Sequence, residues 1–104
     1  MRYVKRSWGW YFILLDREHF KVKLLRFKAG NQLSHQYHSH RSELWVFLKG
    51  GGWFIHDDEI TLKVSGDYSL ANFKEVHSFK AAKTTYAIEV QFGEKCVEED
   101  IVRL

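Results

Sequence analysis

The sequence predicts an all-β domain, a small antiparallel β-barrel or jelly roll. Three observations carry that reading. Short apolar or alternating runs recur along the chain, turns rich in Gly and Asp separate them, and no segment sustains a helical period. At 104 residues, 1–104 is expected to be a single domain, large enough for one core but not two. It shows no linker, internal repeat or low-complexity segment.

In chain order, basic residues precede the apolar run Trp8 to Leu15, which imitates a signal peptide. The run is short and aromatic and no small-residue cleavage site follows, so it is expected to be the first strand. It is apolar on both faces, which suits a strand covered on both sides, the second cover being a partner subunit. Asp16-Arg17-Glu18 turns the chain. Phe20 to Phe27 alternates, Val22 and Leu24 against Lys21 and Lys23, and reads as a strand with the lysines on its wetter face. After a loop at Lys28 to Gln32, Gln36-Tyr37 and Leu44 to Leu48 read as strand. Gly50-Gly51-Gly52 is a turn rather than a phosphate cradle, because Trp53-Phe54-Ile55 continues as strand and opens no helix. A hairpin turn at His56 to Glu59 leads to Ile60, Leu62 and Val64, which alternate with polar residues. Ser65-Gly66-Asp67 turns again, Tyr68 to Ala71 and Val76 to Lys80 are short strands, and Thr84 to Phe92 is the last clear strand. Glu98 to Leu104 reads as a short helix or an extended tail.

Composition narrows the function classes. Apolar residues make up 45% of the chain and aromatic ones 16%, which argues against disorder and for large rings in a core or interface. Trp8, Trp10, Trp45 and Trp53 are expected there. Trp8, Trp10, Tyr11 and Phe12 together would leave a large exposed patch on a monomer, so a homodimer is expected. The net charge of +3, with both signs interspersed, suits a small anionic ligand and lacks the basic run of a nucleic-acid binder. The single cysteine, Cys96, excludes an internal disulfide and a Cys-rich zinc site and fits the cytoplasm. No stretch is long enough to cross a membrane.

The chemistry concentrates between Gly30 and Gly50, where His38, His40 and Glu43 fall within six residues. On a strand, residues two apart share a face, so His38 and His40 can reach one ion together. A turn or bulge at Arg41-Ser42 would bring Glu43 to that face. His77, between two strand-like runs, is the best fourth ligand. Three imidazoles and a carboxylate suit one divalent metal ion (zinc, manganese, nickel, cobalt or iron) with positions left open. On the residues alone, ordinary polar side chains near a strand end read equally well, and His19, His35 and His56 are expected at the surface. Arg41 has a fork for a phosphate or carboxylate, or is a surface residue. Either Lys21 or Lys23 can point into the barrel mouth towards a phosphate. Glu89 shares a strand face with Gln91, and a carboxylate facing a barrel interior needs a partner. Glu89 is therefore an acid/base or substrate-contact candidate with Gln91 beside it, a structural salt bridge being the alternative.

The pattern G-x7-H-x-H-x2-E-x6-G from Gly30 to Gly50 resembles the first cupin motif, and G-D-Y-S-L-A-N-F-K-E-V-H from Gly66 to His77 resembles the second. More narrowly, the chain is similar to the cupin domain of type II mannose-6-phosphate isomerases, which usually follows a nucleotide-sugar pyrophosphorylase domain. R-S-W-G-W-Y at 6–11, F-K-V-K-L at 20–24, L-S-H-Q-Y-H-S-H-R-S-E-L-W at 33–45, I-E-V-Q at 88–91 and E-D-I-V-R-L at 99–104 carry the likeness in the family's order. Asn72 and Lys74 stand where the second motif usually has Pro and Gly, which implies a differently shaped loop before His77.

The resemblance implies a cupin barrel with the ion on His38, His40, Glu43 and His77. It also implies interconversion of mannose 6-phosphate and fructose 6-phosphate through an enediolate. A general base, for which Glu89 is the choice, would move the proton, and a cation such as Arg41 would hold the phosphate. A metal-dependent oxygenase and a non-catalytic sugar- or anion-binding cupin are the alternatives. No nucleotidyltransferase pattern is present, so guanylyltransfer is not expected of these residues.

Overall fold

The computed structural model describes residues 2–104. Its strands are β1 (Arg2–Arg6), β2 (Gly9–Asp16), β3 (Phe20–Phe27), β4 (Gln36–Tyr37), β5 (Arg41–Lys49), β6 (Gly51–His56), β7 (Glu59–Val64), β8 (Tyr68–Ala71), β9 (His77–Ala81), β10 (Thr85–Gly93) and β11 (Val102–Arg103). They form two antiparallel sheets, ordered β1-β2-β3-β10-β5-β8 and β11-β4-β9-β6-β7, that face each other across one core. The expected first strand is thus the second. Arg2–Arg6 escaped notice because its only partly buried residue is Val4, so it shows no apolar alternation. The tail is extended, with β11 pairing onto β4.

The chain passes from one sheet to the other at Gly50, between β5 and β6. Its φ is +85°, and a Cβ there would sit 2.2 Å from the Thr84 carbonyl oxygen, so only glycine fits.

The inward faces of β3, β10 and β5 change character along the barrel. Lys21, Gln91 and Glu43 are in register at one end, then Lys23, Glu89 and Trp45, then Leu25, Ala87 and Phe47, with Phe27 beside Thr85 at the far end. The apolar end is an aromatic cluster around Phe27, whose ring centroid lies 4.4 Å from Trp8, 4.9 Å from Phe79 and 5.8 Å from Trp45. The other end is polar yet buried, and there the chemistry sits.

This layering overturns the reading of the lysine face. Lys21 and Lys23 are 3% and 4% exposed, whereas Val22 and Leu24 face outwards. Alternation located the two faces correctly, but polarity chose the wrong one as buried. The lysine stems run along the barrel wall and their heads share one carboxylate inside, which offsets part of the cost of burial.

The outer face of the larger sheet is apolar instead. Tyr3, Phe12, Leu24, Ile88, Val46 and Tyr68 align in register across all six strands. Leu15, Val22, Val90, Leu44 and Leu70 form a second row.

Candidate metal centre and cavity

At the polar end, Glu43 of β5 sits between two imidazoles. His38 Nε2 lies 3.0 Å from Glu43 Oε2, and His77 Nε2 lies 3.0 Å from Glu43 Oε1. All three residues are at most 2% exposed, and their donor atoms fall within 4.8 Å of one another. The far side of each ring defines its tautomer. His38 Nδ1 donates to the Asp100 carbonyl at 2.6 Å and His77 Nδ1 to the Glu75 carbonyl at 3.3 Å. In the neutral rings both Nε2 atoms therefore present lone pairs to a carboxylate. Three acceptors converge where a cation or extra protons must sit, which is the donor set a divalent ion takes.

The electrostatics agree. Burial raises the Glu43 carboxyl, but hydrogen bonds and charge from His38 and His77 outweigh it and hold the group well below its ordinary range. Burial lowers the His77 imidazole, but its hydrogen bond to Glu43 and that group's charge raise it overall. Trp45 Nε1 donates to Glu43 Oε1 at 3.2 Å, steadying the carboxylate from the core side.

His40 does not join this group. The segment 38–40 bends instead of running as strand, so the same-face argument for a His38/His40 pair fails. The His40 side chain is 39% exposed and its Nδ1 lies 2.9 Å from the exposed Glu94 carboxylate. Nor is a bulge needed at Arg41-Ser42, because β5 pairs with β10 without a shift from Arg41 to Phe47 and Glu43 is buried on the inward face. His77, expected inside a strand from Val76 to Lys80, is the first residue of β9. The loop before it is shaped by Lys74, whose φ of +67° is one that glycine adopts freely and whose N–H donates to the His38 carbonyl at 2.6 Å.

Arg41 is buried, 5% exposed, and already engaged. Its Nε and Nη2 donate to Glu43 Oε2 at 3.2 and 3.1 Å, its Nη1 donates to the Val97 carbonyl at 2.9 Å, and Nη2 lies 3.4 Å from His38 Nε2. It stands at the wall of a cavity of about 360 Å³ that Glu43, Glu89, Gln91 and Lys23 also line, with Arg6 and Arg103 at its polar rim. Neither histidine reaches that wall.

Glu89 faces this cavity. Burial and the nearby Glu43 charge push its carboxyl up to about 8, with Lys23 and Arg41 opposing. Gln91 Nε2 donates to Glu89 Oε1 at 2.8 Å, and the buried Gln91 Oε1 has no partner among the described residues. The two side chains together offer a titrating carboxyl and a spare acceptor to whatever enters.

Lys21 and Lys23 both donate to Glu98, from the segment Glu94–Ile101 that crosses the polar end as a strap. That strap also supplies the Val97 carbonyl to Arg41 and the Asp100 carbonyl to His38. The Asp100 carboxylate accepts the Ser39 and His40 backbone N–H groups at 2.9 Å each. Sequence reasoning missed Glu98, Asp100 and Tyr11, the last of which donates to Glu98 Oε1 at 3.1 Å. These partners lie 60 or more residues apart, beyond any local pattern.

A family model described as mannose-6-phosphate isomerase C-terminal matches residues 1–104. Xanthan biosynthesis protein XanB of Xanthomonas campestris is 34% identical over 98% of this chain, and alginate biosynthesis protein AlgA of Pseudomonas aeruginosa is 33% identical over 97%. A mannose-1-phosphate guanylyltransferase of Salmonella muenchen is 29% identical over 97%. The chain spans only about a fifth of the length of these curated relatives, 22%, 21% and 22% respectively. Among solved structures, oxalate decarboxylase from Bacillus subtilis superposes with a TM-score of 0.87 at 16% identity, over 99% of this chain and 30% of that one. KdgF from Halomonas gives 0.83 at 13%, over 89% and 88%. At these identities the likeness is one of fold. With its barrel matched by those structures and its whole length by the family model, the chain belongs to the mannose-6-phosphate isomerase C-terminal family and is a cupin domain.

Proposed function

We propose that this domain is a metal-dependent sugar-phosphate isomerase that interconverts mannose 6-phosphate and fructose 6-phosphate. The observation that carries the reading is Glu89, a buried carboxyl that burial and the Glu43 charge push up to about 8, on the wall of a cavity of about 360 Å³ and one inward-facing position along β10 from the partner of Glu43. Isomerisation needs such a group. Ionised Glu89 takes the proton from C2 of the aldose, and the electron pair forms the enediolate. The same carboxyl returns the proton to C1 while the hydroxyl proton passes between the two oxygens. Gln91 orients Glu89 and offers its free Oε1 to a sugar hydroxyl.

His38, His77 and Glu43 would hold a divalent ion, which supplies positive charge for the oxygens that become negative in the reaction. Zinc, manganese, nickel, cobalt and iron all suit two imidazoles and a carboxylate. Arg41, poised between Glu43 and the cavity, is the cation nearest the reacting end.

The test is incubation of metal-loaded protein with mannose 6-phosphate in heavy water. Fructose 6-phosphate with deuterium at C1 is expected, with Glu89→Gln losing exchange while retaining metal. Sugar-phosphate binding with no exchange under any of the five metals would leave a non-catalytic binding domain. The guanylyltransferase name belongs to relatives far longer than this chain and is not proposed for these residues.

A second copy of the chain is the proposed cover for the outer face of the larger sheet. The first in-register apolar row described above spans all six strands and the second spans five, and Tyr3, Leu15, Tyr68 and Leu70 within them are more than 40% exposed in the single chain.

A further inference from the structure

Two buried lysines share one carboxylate at the polar end of the barrel. Lys21 Nζ lies 2.9 Å from Glu98 Oε2, and Lys23 Nζ lies 3.0 and 3.1 Å from its Oε1 and Oε2. Tyr11 adds its hydroxyl at 3.1 Å, and its ring face lies 4.1 Å from the Lys23 ammonium. Asp16, 3.7 Å from Lys21, is a 56% exposed rim residue and contributes little charge compensation.

The cradle and its occupant differ in kind. Lys21, Lys23 and Tyr11 stand on β3 and β2, held by the sheet and by inward-facing neighbours. Glu98 arrives from the strap, which is not part of either sheet, and its side chain is 36% exposed. It can turn into water once another anion meets the lysines, whereas the lysines cannot leave. Two ammonium groups against one carboxylate also leave positive charge uncompensated, and Arg6 and Arg103 add to it at the same rim. Glu43 is committed to His38, His77 and Arg41, and Glu89 is held by Gln91. A dianion therefore matches the site better than a monoanion.

We propose that Lys21, Lys23 and Tyr11 are an anion subsite for a phosphoryl group, which Glu98 fills as an internal stand-in until an incoming phosphate displaces it. Three donors serve three terminal phosphoryl oxygens, where a carboxylate must share its two. The subsite rests on the isomerase reading only for what the phosphoryl group is attached to. Displacement also loosens the strap that supplies carbonyls to Arg41 and His38, so the anion subsite and the candidate metal centre are mechanically connected.

Titration calorimetry of metal-free full chain with inorganic phosphate tests this. Glu98→Gln keeps the shape and removes the competing charge, so phosphate should bind about tenfold or more tightly than to the parent. Glu98→Gln/Lys23→Met should lose that gain. In the parent, saturating phosphate should speed backbone hydrogen exchange in 94–101. A folded Glu98→Gln protein binding phosphate no better than the parent overturns the proposal, as does a gain that survives Lys23→Met. Slower exchange of the strap in phosphate also overturns it, and does so without any variant. If acetate gains as much as phosphate, the phosphoryl assignment falls. None of these measurements needs turnover, so their failure leaves the isomerase reading standing, and a lack of isomerisation leaves the subsite standing.

Discussion

His77 Nε2 lies 3.0 Å from Glu43 Oε1 while the Nδ1 hydrogen of the same ring is given to the Glu75 carbonyl. With that tautomer a neutral ring turns a lone pair towards a carboxylate, and His38 repeats the arrangement on the other oxygen. Such a pair of contacts is repulsive unless a positive charge lies among the three atoms. Arg41 supplies part of that charge from one side, which makes it a competitor of any bound ion.

The metal should thus follow the converging residues and not the motif. His38→Ala or His77→Ala is expected to cut metal content sharply, by elemental analysis of purified protein, while His40→Ala leaves it near the parent level. Arg41→Ala should raise metal affinity by removing the competing guanidinium. Because His77 holds its proton to higher pH than a free imidazole, metal should be lost as pH falls, starting at a higher pH than an ordinary histidine site would show. Equal metal loss from His40→Ala and His77→Ala would remove this assignment.

Glu89 makes a prediction about stability as well as rate. Its ordinary carboxyl value is 4.5 and its folded value about 8, so the folded protein binds this proton more tightly than the unfolded chain. The stabilisation is complete below about 4.5 and is lost as pH rises through about 8. Glu89→Gln should accordingly be more stable than the parent at pH 9, by on the order of a few kcal/mol, and similar to it at pH 4. Chemical denaturation at the two pH values checks this. A parent protein equally stable at both, relative to the variant, would mean that Glu89 ionises freely.

Lys74 stands at a φ of +67°, where a side chain costs about 1 kcal/mol and glycine nothing. Offset by the greater chain entropy of glycine, Lys74→Gly should stabilise the fold by up to about 1 kcal/mol, a few degrees in Tm. Metal content should be kept, since the N–H to the His38 carbonyl remains. A lower Tm would show that the loop relies on the lysine side chain.

How far the sequence disclosed this molecule depended on how local each cause was. Strand positions, the turns at Gly50 and Gly66, and the approach of Glu43 to His77 follow from short patterns and motif spacing. Parity misplaces His40 because it holds only on a strand, and at the bend of Ser39 the Asp100 carboxylate accepts two backbone N–H groups from across the chain. Lys21 and Lys23 were assigned to the wet face because their partner, Glu98, lies 75 or more residues away. A buried charge is legible only once its counter-charge is placed, and no periodicity places it.

Phe12, Leu24, Ile88 and Val46 lie side by side across neighbouring strands, and Val22, Val90 and Leu44 run beside them. A solvated sheet face alternates with polar residues, whereas these rows do not, and their burial against a second copy is worth about 25 cal/mol per Å² of apolar surface. A stable dimer buries roughly 800 Å² from each partner, and the two rows cross six and five strands of the larger sheet. Light scattering at micromolar concentration should therefore report twice the chain mass of 12.4 kDa. Ile88→Lys, at the centre of the first row, should give a folded monomer by placing a charge where the copies meet, while Ile60→Lys on the exposed edge strand β7 should remain dimeric. A monomeric parent contradicts the proposal outright. A dimer indifferent to Ile88→Lys moves the interface to another face.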